Sequence, residues 1–329
     1  MSTTPSPYAS FTRYLAAKKS VDDRALNQHV WHTLQMAIRA YTQRSPQPLR
    51  IVEIGAGIGT MVERVLTCDL GSDVEYSLVD AGSENIATAK VRLPEWAHAQ
   101  GFLVSADDDG ATLHLQRSAE ISQNVCQTIL RFYTADCFDF ANHPAQQQHY
   151  DLLIAHAFLD LVDVKQALPR LQQLLRPRAL LYFTINFDGA TILQPEIDPN
   201  FDAQLEALYH ATMDTRLVNG ELSGDSHTGR HLFGHLRNAG IEVLAAGSSD
   251  WVVFAGSQGY VADEAYFLHF IVETMYGALR HHPALDQARF AAWIATRHAQ
   301  IDSGDLVYIA HQLDFVGRYT GATDTGATN

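Results

Sequence analysis

Cysteines, basic side chains and long apolar runs are scarce in this sequence, and each scarcity excludes a class of protein. The 329 residues include three cysteines, at positions 68, 126 and 137, with no Cys-x-x-Cys pair. We therefore expect no disulfide framework. The cysteines are predicted to be reduced thiols in a cytoplasmic protein. No stretch approaches the roughly 18 apolar residues of a membrane-spanning helix. The first ten residues also lack the basic, then apolar pattern of a secretion signal.

Positive charge is also in short supply. The chain has 23 Lys and Arg against 37 Asp and Glu, a formal net charge of −14. A field of that sign repels phosphate backbones and anionic lipid surfaces. The only compact basic patch is Lys18-Lys19. We therefore expect neither nucleic acids nor membranes as partners. The expected partner is a small molecule.

The most informative stretch covers residues 50–80. A short β-branched run, Ile51 to Ile54, predicts a buried strand that ends in Gly55-Ala56-Gly57-Ile58-Gly59. A helical pattern follows, and then a second strand that ends at Asp80. Strand, glycine loop, helix, strand and acid form a nucleotide-binding βαβ unit, in which the acid is placed for ribose hydroxyls.

Two details of this unit indicate which cofactor it binds. The glycine spacing is G-x-G-x-G, so the G-x-G-x-x-G dinucleotide pattern fails at its last position. Glu53 also lies two residues before the first glycine. A buried carboxylate there disfavours a pyrophosphate and favours a cationic cofactor. S-adenosylmethionine (SAM) carries a sulfonium and an ammonium. The stretch resembles the first motif of the class I SAM-dependent methyltransferases.

The resemblance implies an α/β fold, with a seven-stranded, mostly parallel sheet and helices on both faces. It also implies a set of cofactor-binding residues: Glu53, Gly55, Ala56, Gly57, Gly59, Asp80, Ala81, Asp136, Cys137 and Ala155. Asp136 matches the position of an acid or amide beside the adenine. A capping role for Asp136 at the next turn is the alternative.

The predicted domains follow from this core. Residues 1–44 form a helical cap, with a Ser20-Val21-Asp22-Asp23 capping box, and residues 45–257 form the SAM-binding domain. The core carries a β-hairpin insert at 97–130 and a substrate-side insert at 194–226. Two strands, at 241–245 and 251–255, are expected to close the sheet as a hairpin. Residues 258–319 are predicted to be a helical extension that covers the pocket, a homodimer interface or the flanking helices, and 320–329 a disordered tail.

The acceptor side is less well defined. His156 ends the fourth predicted strand, where it would act either as a general base or as a structural hydrogen-bonding group. Six further residues are substrate-side candidates: Tyr14, Trp31, Phe158, Asp160, Asn186 and Arg230. His227, His231 and His235 recur every fourth residue, but a solvated helix face is the preferred interpretation, and no metal is predicted.

The sequence thus predicts SAM-dependent methyl transfer to a small molecule, with S-adenosylhomocysteine (SAH) as by-product. The Asp/Asn-Pro-Pro-aromatic motif, typical of amino-group and nucleic-acid-base methylation, is absent after residues 150–156, which favours a hydroxyl acceptor.

Three alternatives stay open. An aminopropyltransferase of this fold would use acids such as Asp160 and Asp163. A non-catalytic SAM-binding protein is the second. An NAD-dependent oxidoreductase is the third, and Glu53 disfavours it.

Overall fold

One mixed sheet forms the centre of the protein. The computed structural model describes residues 6–45, 47–68, 70–108, 110–117, 126–218 and 220–321. Within them, ten strands form the main sheet, in the order β10-β12-β7-β6-β1-β2-β5-β4-β3, with β11 paired to β12. The strands are β1 Leu49–Ile54, β2 Val74–Asp80, β3 Phe102–Ala106, β4 Thr112–Arg117, β5 Gln127–Thr134, β6 Tyr150–His156, β7 Leu175–Gln194, β10 Ile241–Ser248, β11 Trp251–Val253 and β12 Val307–Tyr319. A separate two-stranded hairpin is formed by β8 Leu217–Val218 and β9 Glu221–Leu222.

The topology places a ligand-binding crevice beside β1. Strands β5, β2, β1, β6 and β7 are parallel, and β1 lies between β2 and β6. From β1 the chain builds one half of the sheet through β2 and β5, and then returns to build the other half through β6 and β7. Such a switch point opens a crevice beyond the carboxyl ends of the strands. The glycine loop after β1 lies there.

Helices cover both faces, because the apolar side chains of the central strands alternate between the two sides. The helices are α1 Phe11–Ala25, α2 Gln28–Thr42, α3 Thr60–Leu66, α4 Ser83–Ala99, α5 Cys137–Asn142, α6 Val164–Leu171, α7 Pro199–Asp214, α8 Thr228–Asn238, α9 Glu264–Leu279 and α10 Gln287–Ser303. Ile51 packs in a core with α2, α3 and α4, whereas Val52 packs in a core with α5, α6 and α8. In the described part of the chain, no helix has the length and apolar character needed to span a bilayer.

A third core lies beyond the carboxyl ends of the central strands. It joins α1, α7, α9 and α10 to the outer part of β7 and to β11 and β12, through Val21, Phe187, Trp251, Phe267 and Tyr308 among others. The α/β fold with helices on both faces is thus confirmed, with ten strands in place of the seven predicted. The hairpin predicted within 97–130 is also confirmed, as β3 and β4, which extend the sheet next to β5.

The prediction that residues 258–319 form a helical extension is wrong for their last part, which is strand β12. Strand β12 lies inside the sheet, antiparallel to both β7 and β10. Its first residues alternate between half-buried and buried, as in a strand with one covered face. The apolar positions Leu306, Ile309 and Leu313 also fit a helical period, which led to the error. The prediction that the strands at 241–245 and 251–255 close the sheet as a hairpin is also wrong. Strands β10 and β11 each pair with β12 and not with each other.

The N-terminal helices are present, but their caps differ from the prediction. Ser20 lies within α1, and its hydroxyl donates to Glu264 at 2.7 Å. The side chains that cap the N-termini of α1 and α2 are Ser10 and Asn27. The prediction of a disordered tail concerns residues 320–329, of which 322–329 lie outside the described residues.

Candidate functional site

The glycine loop turns sharply between β1 and α3. Gly55 and Gly57 have positive φ angles of 69° and 54°, which L-residues with a side chain adopt only with strain. A Cβ at Gly55 would lie 2.6 Å from the ring of Phe158, so this aromatic side chain packs directly on the loop. Gly59 begins α3, and a Cβ there would lie 2.8 Å from Leu93. The loop therefore packs its backbone tightly against neighbouring side chains, which leaves no room for larger residues at these glycines.

Asp80, at the end of β2, holds this loop in place. Its Oδ2 accepts a hydrogen bond from Gly57 N at 2.8 Å. Its Oδ1 accepts from Gly82 N at 2.8 Å and from Asn85 Nδ2 at 3.0 Å. Each carboxylate oxygen has more than one lone pair, so the acid can tie the two loops together and still accept from a ligand hydroxyl.

Glu53 is a buried carboxyl group in the floor of the crevice. It is 1% exposed, and Tyr76 Oη donates to its Oε2 at 2.7 Å. Burial raises its pKa to about 8, although the hydrogen bond from Tyr76 opposes the shift. A cation in the crevice would reverse this effect, because an opposite charge favours the ionised form.

Asp136 and Cys137 lie at the end of β5. Asp136 is exposed and caps α5, since its Oδ1 accepts from Phe138 N at 2.8 Å and from Asp139 N at 3.2 Å. The capping role weighed for Asp136 is thus present, and only Oδ1 is engaged in it. Burial raises the pKa of the Cys137 thiol to about 12, which makes it a neutral neighbour for a ligand.

A cavity of about 760 Å³ brings most of the predicted residues together. Those that line it are Glu53, Gly55, Ala56, Gly57, Asp80, Ala81, Asp136, Cys137, His156, Tyr14, Phe158 and Asp160. Five others do not line it: Gly59, Ala155, Trp31, Asn186 and Arg230.

Each of the three substrate-side candidates outside the cavity has another contact. Trp31 packs on the ring of Tyr182 on the far side of the sheet, with centroids 5.6 Å apart. Asn186 is fully buried and donates to the carbonyl of Leu313. Arg230 forms an ion pair with Asp188 at 2.7 Å.

His156 has both ring nitrogens in hydrogen bonds within the protein. Its Nδ1 lies 2.8 Å from Thr184 Oγ1, and its Nε2 lies 2.9 Å from Asp22 Oδ2. Asp22 also accepts from Lys18 Nζ at 2.5 Å and from Trp251 Nε1 at 2.9 Å. This buried network joins α1 to β6 and β11. Of the two predicted roles, the geometry favours the structural one, because no ring nitrogen is left for an acceptor.

The charges of the network are consistent with that role. Burial, and then the nearby Lys18, lower the pKa of His156 to about 4, although Asp22 acts in the opposite direction. Burial also lowers the pKa of Lys18. Burial would raise the pKa of Asp22, but Lys18, His156 and Arg64 together keep it well below its usual range. At neutral pH, His156 is therefore an uncharged hydrogen-bonding group beside a buried ion pair.

Sequence reasoning missed most of this network and most of the acceptor wall. The spacing of Lys18 and Asp22, four residues apart on α1, is the one local signal for the ion pair. The wall away from the glycine loop is mainly aromatic and apolar. Besides Tyr14, it includes Tyr209, Met213, Trp251, Phe270 and Tyr308. Burial raises the pKa of Tyr209 to about 12, so its hydroxyl stays protonated and is able to donate.

Three polar groups on this wall have unused hydrogen-bonding capacity. Asp160 lies in the 3-10 turn after β6, and its Oδ1 is buried with no hydrogen-bond partner among the described residues. Gln312 Oε1, from β12, is in the same state. Arg216 follows α7 and also lines the cavity; within the described ranges its guanidinium forms no hydrogen bond or ion pair. Burial raises the pKa of Asp160, while Arg216 and Lys18 oppose the shift.

The three spaced histidines are placed differently from one another. His227 precedes α8, whereas His231 and His235 lie on the helix, exposed and half-buried respectively; His231 Nδ1 lies 2.6 Å from Asp225 Oδ2. Asp214, Asp225 and His227 bring one ligand atom each within 4.8 Å of one another. Both oxygens of Asp214 already accept hydrogen bonds from Ser226, so this cluster is accounted for by the local loop.

Comparison with known proteins found similar folds and no sequence relatives. No protein-family model matches the chain, and neither does any curated protein. A candidate methyltransferase from Bacillus halodurans is 7% identical over 86% of this chain and 99% of its own, with a TM-score of 0.45. A SAM-dependent methyltransferase from Methanosarcina mazei is 12% identical over 85% and 96%, with a TM-score of 0.41. Geranyl diphosphate C-methyltransferase from Streptomyces coelicolor, solved with Mg²⁺, geranyl diphosphate and SAH, is 10% identical over 88% and 81%, with a TM-score of 0.39.

Proposed function

We propose that this protein is a SAM-dependent methyltransferase that acts on a hydroxyl group of a small molecule. The observation that carries the proposal is the carboxyl group of Glu53, buried in the floor of the cavity and followed directly by the glycine loop. Burial makes the ionised form of this carboxyl group costly unless a positive charge lies beside it. A sulfonium and an ammonium meet that need, whereas a pyrophosphate would add negative charge.

The other residues of the crevice fit the remaining parts of SAM. Asp80 would accept from the ribose hydroxyls, and Asp136 would accept from the adenine amino group through its Oδ2, which has no hydrogen-bond partner among the described residues. Gly57 lines the cavity without a side chain, so the loop backbone itself faces the ligand. When bound, SAM would supply a methyl group to the acceptor oxygen: the carbon–sulfur electron pair would stay on sulfur to give SAH, and the hydroxyl proton would pass to a nearby base or to water.

The protein's own contribution is positioning and exclusion of water. Helix α1, held by the buried network of His156, Asp22 and Lys18, forms one wall of the cavity. Phe158 lies between the glycine loop and the acceptor wall. Holding the acceptor in line with the methyl group is the main catalytic requirement of such a displacement.

The acids required for an aminopropyltransferase are only partly available. Asp163 caps α6, where its Oδ1 accepts from Lys165 N at 2.9 Å and its Oδ2 from Gln166 Nε2 at 3.1 Å. Among the described residues, Asp160 and the exposed Glu221 are the acids that remain on this part of the cavity, and their small number favours methyl transfer to a neutral hydroxyl over capture of a polyamine.

Calorimetric titration with SAM, SAH and NADH tests the assignment. We expect SAM and SAH to bind at micromolar concentration and NADH not to bind. Binding of NADH alone would replace the methyltransferase proposal with an oxidoreductase. Binding of none of the three would refute the cofactor assignment.

A further inference from the structure

The acceptor wall contains a guanidinium that forms no hydrogen bond or ion pair with the described residues. Among the basic residues that line the cavity, Lys18 is bound to Asp22, and Arg170 lies over the ring of Phe138 at 4.0 Å. Arg216 has neither kind of partner within the described residues. A guanidinium held in a partly buried wall is stabilised by an anion, and its planar fork suits a carboxylate.

The same wall contains acceptors that lack donors. Asp160 Oδ1 and Gln312 Oε1 are both buried and unpaired in the described structure. A buried acceptor without a donor costs free energy, so a ligand that supplies an O–H group is favoured there. Asp160 and Arg216 line the same cavity, and the positive charges of Arg216 and Lys18 oppose the rise in the pKa of Asp160 that burial causes.

Aromatic rings and apolar side chains enclose these groups. Tyr14 is stacked on Phe270 with ring centroids 4.1 Å apart, and both line the cavity. Tyr209, Tyr308 and Asp160 line the same cavity as these two rings, so the side chains converge on one region. Flat rings suit a flat apolar body, because they offer area and offset stacking.

We propose that the methyl acceptor is a hydroxylated carboxylic acid with an aromatic body, whose carboxylate binds Arg216 and whose hydroxyl donates to Asp160. This inference rests on the proposed function, because the hydroxyl is the group to be methylated. Arg216 then selects the acceptor by charge. Asp160 fixes the position of the hydroxyl and stands ready to accept its proton.

Three ring compounds of matched size test the charge selection. They are 4-hydroxybenzoate, 4-methylphenol and 4-hydroxybenzylamine, titrated at pH 7 into protein saturated with SAH. We expect 4-hydroxybenzoate to bind about tenfold or more tighter than 4-methylphenol, the effect of one charge-assisted contact. Arg216→Gln should abolish this preference, and Arg216→Lys should retain part of it. Arg237→Gln removes the same charge from the exposed face of α8 and should leave the preference intact.

The hydroxyl contact is tested with the neutral probe. Asp160→Ala should weaken binding of 4-methylphenol about tenfold, since a hydrogen bond to a charged group is lost. Tighter binding of the amine, an unchanged preference in Arg216→Gln, or no binding of any probe to the SAH complex would overturn the proposal. Failure of SAH itself to bind would instead overturn the proposed function, and the preliminary SAH titration reports that separately.

Discussion

The ionisation of Glu53 makes cofactor binding depend on pH in a calculable way. In the free protein, burial holds its pKa at about 8, so at pH 6–7 the group is mainly protonated. A bound sulfonium and ammonium require the carboxylate, and binding therefore releases a proton. Below its pKa, each unit of pH lowers the apparent affinity about tenfold. We expect the dissociation constant of SAM to rise about tenfold from pH 7 to pH 6, a range in which the ligand's own α-amino group stays charged.

Calorimetry in two buffers of different ionisation enthalpy measures this directly. The native protein should release close to one proton per SAM bound at pH 6. Glu53→Gln keeps the size of the side chain and an acceptor for Tyr76, and should bind SAM weakly and without proton release. Glu95→Gln makes the same change at an exposed position on α4 and should behave like the native protein. An affinity that is flat between pH 6 and 7, with no proton released, would refute the role of Glu53.

The same shift affects the stability of the free protein. Because the folded pKa of Glu53 lies above its ordinary value of 4.5, its contribution to stability is fully present below about pH 4.5 and is lost as the pH rises through about 8. The melting temperature of the free native protein should therefore fall relative to that of Glu53→Gln across this range. Parallel curves would contradict the shift.

Three further predictions concern the neighbouring groups. Asp80→Ala should weaken SAM binding about tenfold or more, because it removes charge-assisted hydrogen bonds to the ribose; unchanged binding in calorimetry would exclude Asp80 from the cofactor site. Lys18→Ala should lower the free energy of unfolding by about 3–5 kcal/mol, as expected when one partner of a buried pair is removed. Lys19→Ala removes the neighbouring, more exposed ion pair with Asp23 and should lower the free energy of unfolding by about 0–1 kcal/mol. Equal losses for the two variants in urea unfolding would show that the buried pair contributes no more than the exposed one. His156 should stay neutral to about pH 5 in an NMR titration, since its pKa is about 4, and titration near 6.5 would indicate an open, solvated ring.

Much of the cofactor half was predictable from the sequence because its determinants are local. Residues 50–80 contain the strand, the glycine turn, the helix and the acid in one continuous stretch, and the parallel pairing of β1 with β2 follows from that order. The tight turn at Gly55 and Gly57 needs glycine for steric reasons that hold in any fold. Glu53, two residues before the first glycine, lies in the floor of the cavity as the strand pattern suggests.

The acceptor half depends on contacts between distant parts of the chain. His156 meets Asp22 across 134 residues, and this contact turns a candidate base into a structural group. Arg216, Asp160 and Gln312 are unremarkable in the sequence, and only the tertiary structure brings the end of α7, the turn after β6 and strand β12 to one cavity. Burial and charge pairing set their chemistry, and neither is a property of sequence spacing.

The position of β12 shows the same division between local and long-range determinants. Its apolar residues fit both a helical and a strand period, so the local pattern does not decide between them. The decision comes from β7 on one side and from β10 and β11 on the other, which supply the backbone hydrogen bonds that flank residues 307–319. The sequence by itself therefore determines the βαβ unit that contains the glycine loop. The tertiary structure decides the rest of the site, because backbone pairing, burial and the balance of buried charges arise only when remote segments meet.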